Sequence, residues 1–200
     1  HNMGGWHVQP DCNMPSGEAF VRQITEGRRY FREKFGVEPT TAINFDPFGH
    51  TRGLVQILAG TGYDSYIFCR PHEGLCHLPA ETFRWVGYDG SSVIAQRAQT
   101  GDSTALGNAM KKIRPTTEAL TDAAPLGFCL WGVGNHGGGP SREDIRAINA
   151  FMEEAKTEGV TVLHSTPEAY FADVRAEAAA GTRVLPEHHG DLTAWAQGCY

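Results

Sequence analysis

A carboxylate that directly follows an apolar segment is the feature of this chain with the clearest capacity for chemistry. Residues 41–45 are largely apolar, Asp46 comes next, and Pro47 and Gly49 then break the pattern before a new amphipathic segment begins near Thr51. This order predicts a strand that delivers Asp46 at its carboxyl end and then turns into a helix. In α/β folds, catalytic groups collect at the carboxyl edge of the sheet. The alternative is an Asp that caps the following helix or shapes the turn.

A second polar loop follows a longer apolar segment. Residues 126–133 form a continuous apolar run, which predicts a strand covered on both faces, and the next residues are Gly134-Asn135-His136-Gly137-Gly138-Gly139. So many glycines let backbone and ligand approach closely, at an entropic cost that a mere connector seldom carries. We therefore expect His136 to lie on the same edge of the sheet as Asp46 and to face the substrate. The alternatives are a His that bonds only its own loop, and a phosphate-binding loop, for which the Gly-x4-Gly-Lys-Ser/Thr frame is missing.

The segment from Trp6 to Asp11 holds an aromatic ring and a carboxylate close together in sequence. These groups suit a sugar, because hydrogen bonds hold the hydroxyl groups and an aromatic face packs against the ring. The alternative is that Asp11 only shapes the turn before the first helix. The sequence therefore offers three polar clusters that a fold could bring together.

Helix and strand patterns alternate along the chain and indicate an α/β fold. The predicted helices span 17–35, about 51–60, 103–113, a stretch between Ser141 and Gly159 with Ile145, Ile148, Met152 and Ala155 buried, and a stretch that begins at Thr166-Pro167. The predicted strands span 41–45, 65–69, 126–133 and 160–164, and Asp89-Gly90 joins 83–87 to 92–97 in a hairpin. This alternation predicts a parallel sheet with outer helices, in one domain over 1–200. The inserted hairpin argues against a regular eight-fold barrel.

The composition excludes several classes of function. The chain has a net charge of −6, and its 17 Lys and Arg residues form no cluster that would track phosphates, so we expect no nucleic-acid partner. No apolar run approaches the roughly 18 residues that span a bilayer, so we expect no membrane partner either. The first residues do not resemble a signal peptide.

Cysteine usage indicates a reducing compartment. The five cysteines are odd in number and scattered, unlike a disulfide framework, so we expect reduced thiols and a cytoplasmic protein. They are Cys12, Cys69, Cys76, Cys129 and Cys199. A zinc cluster of Cys69, His72, Cys76 and His77 is an alternative, but its spacing is not one of the usual finger patterns.

Several motifs in register carry a resemblance over essentially the whole chain. They are Trp6-x3-Pro10-Asp11-Cys12-Asn13-Met14-Pro15-Ser16-Gly17-Glu18, Val21-Arg22-Gln23, Asp46-Pro47-Phe48-Gly49-His50, Phe68-Cys69-Arg70-Pro71, Phe83-Arg84-Trp85, Asp89-Gly90-Ser91, Gly132-Val133 with the glycine-rich loop and Pro140, and Gly198-Cys199-Tyr200. In these motifs the chain resembles the catalytic domain of glycoside hydrolase family 38, the retaining α-mannosidases. The resemblance implies a (β/α)7-type barrel, of which residues 1–200 would form the central and later part, so that the barrel is incomplete.

The resemblance also implies roles for single residues. Asp46 matches the catalytic nucleophile, which is also a ligand of one zinc ion, and His136 is expected as a second ligand or as a proton-handling group. The remaining zinc ligands, a His-x-Asp pair, would lie upstream of His1. The His that the family usually carries shortly before Gly198-Cys199-Tyr200 is absent, so His136, or less favourably His188 or His189, takes that place, or the site is degraded. The expected substrate-binding residues are Trp6, Asp11, His50, Arg70 and Asn135.

The family chemistry that the resemblance implies is a double displacement on terminal α-mannosides of glycans or oligosaccharides. Asp46 would form a covalent glycosyl-enzyme, while a second carboxyl group, not located in this sequence, protonates the leaving oxygen. Zinc would bind ring hydroxyls and help to distort the sugar. The alternatives are a non-catalytic sugar-binding relative, because Asn135 stands where the family often has Asp, and a metal-dependent carbohydrate deacetylase, whose His-x3-His pair is missing.

Two expectations concern the 200 residues on their own. Asp46 and His136 supply two metal ligands, whereas a catalytic zinc typically takes three from protein, so we expect neither turnover nor tightly held zinc. A barrel that lacks its first strand should have an open sheet edge, which favours association, so an oligomer is compatible with the sequence.

Overall fold

A five-stranded mixed sheet organises the fold. The computed structural model describes residues 2–98, 101–122, 124–134 and 138–193. Its strands are β1 (Thr41–Ile43), β2 (Gly49–His50), β3 (Ser65–Phe68), β4 (Thr82–Val86), β5 (Ser92–Arg97), β6 (Glu187–His188) and β7 (Leu192–Thr193). Its helices are α1 (Gly17–Phe35), α2 (Leu54–Gly60), α3 (Met110–Glu118), α4 (Arg142–Thr157) and α5 (Pro167–Ala179).

The order of the strands in the main sheet is β1-β3-β5-β4-β6. Neighbours are parallel except for the predicted hairpin of β4 and β5, and β2 pairs with β7 in a separate antiparallel ladder. Among the described residues β1 and β6 end the sheet without pairing to each other, so the barrel is not closed. A mostly parallel, incomplete barrel with an inserted hairpin is the fold that the sequence predicts.

Helix α1 has the predicted bounds because both of its ends are capped. The Ser16 hydroxyl accepts a hydrogen bond from the Ala19 backbone N–H at 3.3 Å, and Gly36 ends the helix in the left-handed region at φ 66°. The helix packs closely on the amino-terminal segment at Gly27, where an added Cβ would lie 2.6 Å from Trp6 Cα. Glycine at this position therefore sets the distance between α1 and Trp6.

Helix α4 begins as predicted, with Ser141 and Asp144 in a capping box, but its buried face differs from the prediction. Its buried residues are Asp144, Ile148, Phe151 and Ala155, whereas Ile145 and Met152 are only partly buried, and Met152 packs against the cluster that Ile148, Phe151 and Ala155 form. The physical reason is that the Asp144 carboxylate accepts from the backbone N–H groups of Gly107 and Ala109, at 3.2 and 3.0 Å. These bonds draw a charged side chain into the helix contact.

Two predicted strands and the bounds of one predicted helix are wrong. Residues 126–133 and 160–164 form no ladder with any other part of the chain that the structure describes, apart from an isolated bridge between Thr104 and Val133, and α3 begins at Met110 rather than at 103. Apolar side chains of both segments, such as Trp131 and Val162, instead pack against a cluster formed by α3 and α4. An apolar run reports burial, whereas a strand also needs a neighbour whose backbone groups are aligned with its own.

Successive residues of β3 point into different cores, as expected for a strand. Tyr66 and Phe68 belong to the core shared with α1 and α2, whereas Ile67 packs with Phe171 and Val174 of α5 on the opposite face. Helices therefore cover both faces of the sheet. No helix among the described residues is long and apolar enough to cross a membrane.

Candidate active site around Asp46

The site forms where two neighbouring parallel strands end. Asp46 follows β1 and Arg70 follows β3, and the guanidinium Nε of Arg70 lies 3.0 Å from Oδ1 of Asp46. The Asp46 side chain is 65% exposed, so solvent or a ligand can reach the carboxylate. Beyond the strands, the backbone N–H groups of Cys69 and Arg70 both donate to the carbonyl of Phe45, which fixes the two loops against each other.

The structure also answers the alternative role considered for Asp46 as a helix cap. The N-cap of α2 is Gly53, and no side chain caps that helix. Asp46 instead forms an ion pair at the carboxyl edge of the sheet. Its proposed role as a nucleophile remains a prediction, but its placement suits one.

Arg70, predicted to bind substrate, is the partner of Asp46. Its guanidinium also lies 5.9 Å from the centre of the Phe48 ring, and its side chain is 43% exposed. A cation beside a carboxylate orients it and offsets part of its charge. Arg70 can therefore position Asp46 as well as contact a ligand.

Asp11 ties the amino-terminal segment to the loop that carries Asp46. Its carboxylate accepts from the backbone N–H of Asn13 and of Phe48, both at 2.9 Å. The bond to Asn13 closes a turn before α1, so Asp11 does shape this turn, as the alternative interpretation of its role predicts. The bond to Phe48 adds a second function, because it holds the Asp46 loop in place. Substrate binding by Asp11 remains a prediction.

Trp6 lies in the core rather than at an open surface. Its side chain belongs to the core shared with α1 and α2, and its indole Nε1–H donates to the carbonyl of Ile43 at 2.9 Å. Together with Gln9, which accepts from the Phe45 N–H at 3.2 Å, it covers part of the free edge of β1. The structure thus gives Trp6 a supporting contact with the strand that leads to Asp46, while sugar binding by its ring remains a prediction.

His50 is fully buried beneath Arg70. Its Nε2 lies 2.7 Å from the carbonyl oxygen of Arg70, and its Nδ1 lies 2.5 Å from the hydroxyl of Tyr66. Burial lowers the pKa of His50 to about 4, so the imidazole is neutral near neutral pH. His50 was predicted to bind substrate directly, and its position behind Arg70 offers an indirect role instead.

The residues predicted from the glycine-rich loop, Asn135 and His136, lie outside the described residues. Their placement on the edge that carries Asp46 therefore remains a prediction. Of the less favoured zinc ligands, His188 is the last residue of β6 and pairs with Trp85 of β4, and His189 follows it directly. Because β4 runs opposite to β5 and β3, these two histidines lie toward the amino ends of β1 and β3, away from Asp46.

The ligands for a metal cannot be assembled from the described residues alone. Within these ranges no group of three or more His, Cys, Asp or Glu side chains could hold a metal ion. In the alternative cluster, burial raises the pKa of the Cys69 thiol to about 12, as expected for a core residue. Of the favoured ligand pair, Asp46 and His136, the described residues therefore include Asp46 alone.

Sequence reasoning missed three buried members of the site. Asn44, Cys12 and Tyr66 lie behind Asp46 and Arg70 and are at most 1% exposed. A signal was available for Asn44, because an amide inside an apolar strand needs a buried partner. Its Nδ2 donates to the carbonyl of Pro10 at 2.8 Å and to the sulfur of Cys12 at 3.0 Å.

Comparison of the sequence with known proteins assigns this chain to a family. Residues 1–198 match the family described as "Glycosyl hydrolases family 38 N-terminal domain". Alpha-mannosidase G of Dictyostelium discoideum is 30% identical over 98% of this chain and 17% of its own length. Human Alpha-mannosidase 2C1 is 29% identical over 98% of this chain and 19% of its own length. The chain thus spans less than a fifth of the length of these relatives.

The fold has a solved counterpart. The crystal structure of an alpha-mannosidase from Enterococcus faecalis V583 superposes with a TM-score of 0.73 at 18% identity, covering 94% of this chain and 22% of that one. This likeness concerns the fold, whereas the family assignment rests on the match over residues 1–198. The chain belongs to glycosyl hydrolase family 38.

Proposed function

We propose that these residues form part of the catalytic domain of a retaining α-mannosidase that acts on terminal α-mannosides of glycans or oligosaccharides. The observation that carries the proposal is the exposed carboxylate of Asp46 at the carboxyl edge of the sheet, oriented by Arg70 at 3.0 Å. The family and the relatives named alpha-mannosidase support the substrate class. Because the chain spans less than a fifth of those relatives, the activity is proposed for a protein of their length.

In this proposal Asp46 attacks the anomeric carbon and forms a covalent glycosyl-enzyme. A second carboxyl group, about 5–5.5 Å away in retaining enzymes, first protonates the leaving oxygen and then activates the water that releases mannose. Arg70 keeps Oδ1 of Asp46 in one orientation, so that the attacking carboxylate does not have to be ordered during the reaction. The Asp11 carboxylate holds the same loop through the Phe48 N–H.

We also propose that Asp46 and His136 are ligands of a zinc ion. A carboxylate and an imidazole are donors that zinc accepts, and zinc bound beside Asp46 would polarise the sugar hydroxyls. Of these two proposed ligands, Asp46 lies among the described residues, at the carboxyl edge of the sheet. Titration of the 200-residue chain with zinc tests the ligand count: two donors predict weak binding, and tight one-to-one binding would show that further ligands lie within these residues.

A cytoplasmic location is proposed on the state of the cysteines. The four described cysteines, Cys12, Cys69, Cys76 and Cys129, are all free thiols, and persistent free thiols are typical of reducing compartments. Thiol titration of protein isolated under non-reducing conditions tests this proposal, which predicts full reactivity after unfolding.

The nucleophile is tested by Asp46→Asn in a protein of the relatives' length that contains this chain. The amide keeps the shape of the carboxylate but cannot form the glycosyl-enzyme, so turnover of an aryl α-mannoside should fall by several orders of magnitude. Asp89→Asn is the matched control, because Asp89 lies in the β4–β5 turn, at the other end of the sheet, and its carboxylate accepts hydrogen bonds from the neighbouring Ser91. Turnover by Asp46→Asn close to that of Asp89→Asn would exclude Asp46 as the nucleophile, whereas no turnover by the unsubstituted protein would favour a non-catalytic sugar-binding relative.

A further inference from the structure

We infer that Tyr66 and His50 are positioning residues, whose buried hydrogen bonds hold Arg70, and through Arg70 the carboxylate of Asp46, in place. The inference rests on the proposed role of Asp46, since positioning matters for catalysis only if Asp46 reacts. The hydrogen bonds of His50 go to Tyr66 and to the Arg70 carbonyl, so both residues act on Asp46 through Arg70.

The chemistry of the two bonds to His50 fixes its tautomer. The carbonyl of Arg70 can only accept, so the Nε2 of His50, 2.7 Å away, must carry the hydrogen. Because the imidazole is neutral, its Nδ1 is then an acceptor, and the hydroxyl of Tyr66 must donate to it at 2.5 Å. The two bonds therefore run in one direction, from Tyr66 through His50 to Arg70.

A second layer supports the Tyr66 hydroxyl from behind. With its hydrogen directed at His50, the Tyr66 oxygen is left to accept, and the Cys12 sulfur lies 3.8 Å from it. Asn44 donates to that sulfur at 3.0 Å. The network thus reaches from Asn44, two residues before Asp46, to Arg70, the ion-pair partner of Asp46. Both ends of the network flank the same carboxylate.

Because this network is buried, the loss of one of its hydrogen bonds is costly. Asn44, His50 and Tyr66 are 0% exposed, so a member that loses its partner cannot replace it with water. An unpartnered buried polar group costs about 1–3 kcal/mol. The His50 ring also packs edge-on against two aromatic rings, with centroids 5.4 Å from that of Tyr66 and 5.2 Å from that of Phe68, which limits its rotation. The carbonyl of Arg70 is therefore held at one position, and its side chain starts from a fixed backbone.

The experiment measures the Arg70 side chain directly in the 200-residue chain and requires no substrate. In nitrogen-labelled protein, the rate at which the Arg70 Nε–H exchanges with water reports how firmly the guanidinium is paired with Asp46. We expect Tyr66→Phe, which removes one hydroxyl and little volume, to raise this rate about tenfold, the factor that corresponds to one lost buried hydrogen bond.

Tyr170→Phe is the matched control. Tyr170 is also a buried tyrosine whose hydroxyl is hydrogen-bonded, to Gln96 at 2.8 Å and Thr82 at 3.0 Å, but it packs with α5 on the face of the sheet opposite to Tyr66. We expect this variant to lose stability while the Arg70 exchange rate stays within about twofold of the original. Equal effects of Tyr66→Phe and Tyr170→Phe on Arg70 would show that Tyr66 merely fills the core, and would overturn the inference.

Two substitutions at His50 separate its donor from its bulk. His50→Gln places an N–H close to the position of Nε2 and should keep the Arg70 exchange rate within about threefold, whereas His50→Asn reaches only the position of Nδ1 and should raise it about tenfold. Should these variants not fold, the nitrogen spectrum of the unsubstituted chain still decides the matter. A proton on Nε2 and none on Nδ1 of His50 is required, and the opposite tautomer would overturn the inference. Because none of these measurements uses turnover, they can fail while Asp46 is the nucleophile, or succeed while it is not.

Discussion

Acidification should destabilise this chain through His50, in a pH range that the structure defines. Burial lowers the pKa of His50 from 6.5 to about 4 in the folded state, while the unfolded chain keeps the ordinary value. As the pH falls below 6.5, His50 therefore becomes protonated in the unfolded state but remains neutral in the folded state. The stability present above pH 6.5 is lost on the way to pH 4, and this histidine causes no further loss below that pH.

The size of the effect follows from the difference between the two pKa values. Between pH 7 and pH 5 the free energy of unfolding should fall by about 2 kcal/mol, and by pH 4 by about 3 kcal/mol, because each pKa unit corresponds to about 1.4 kcal/mol. Urea unfolding followed by tryptophan fluorescence at several pH values measures this change, provided that the dependence on urea concentration stays the same.

Variants attribute the change to His50. His50→Gln should be less stable at pH 7 but should lose about 2 kcal/mol less than the original chain on going to pH 5, because the titrating group is gone. Tyr170→Phe should be destabilised at every pH and keep the original slope. If His50→Gln declines with pH as steeply as the unsubstituted chain, another group causes the loss and the burial argument for His50 is refuted.

Three further changes test other parts of the structure. In a protein of the relatives' length, Arg70→Met should lower turnover of an aryl α-mannoside by about 10- to 100-fold. The free energy of unfolding should change by less than about 1 kcal/mol, because an exposed ion pair with Asp46 stabilises little. A large loss of stability with unchanged turnover would contradict this prediction. Gly27→Ala should cost about 1–3 kcal/mol in urea unfolding, because its Cβ would lie 2.6 Å from Trp6 Cα, and a neutral effect would contradict the close approach. Asp144→Asn should lower the free energy of unfolding by about 1–2 kcal/mol at pH 7, and by less below pH 4. The reason is that hydrogen bonds lower the pKa of this carboxyl, so its stabilising effect disappears as it is protonated. The same loss of stability at every pH would contradict that account.

The sequence predicted well those elements whose ends are marked by capping or turn residues. Helix α1 has the predicted bounds, 17–35, because Ser16 and Gly36 cap its two ends, and Asp89-Gly90 joins the predicted hairpin. The position of Asp46 could also be predicted, because the edge at which a parallel strand ends follows from its direction. In each case a few neighbouring residues determine the outcome, so no knowledge of distant partners is needed.

Prediction and structure differ where residues distant in sequence determine the outcome. His50 looks like a ligand-binding residue in sequence, since it follows the site directly, yet Tyr66 and Arg70 supply partners that let it be buried. The run 126–133 has the apolar character of a strand, but backbone pairing depends on which segments lie beside it. A pattern of apolar residues indicates that a segment is buried, but it does not indicate which other segment packs or pairs with it.

The central claim, that Asp46 is the nucleophile of a retaining α-mannosidase, is tested most directly by trapping the covalent intermediate. A fluorinated α-mannosyl fluoride, whose glycosyl-enzyme breaks down slowly, would be incubated with a protein of the relatives' length that contains this chain, and the labelled peptide would be sequenced by mass spectrometry. The account predicts one sugar attached to the carboxylate of Asp46, and no label in Asp46→Asn. A sugar on a different carboxylate would contradict it.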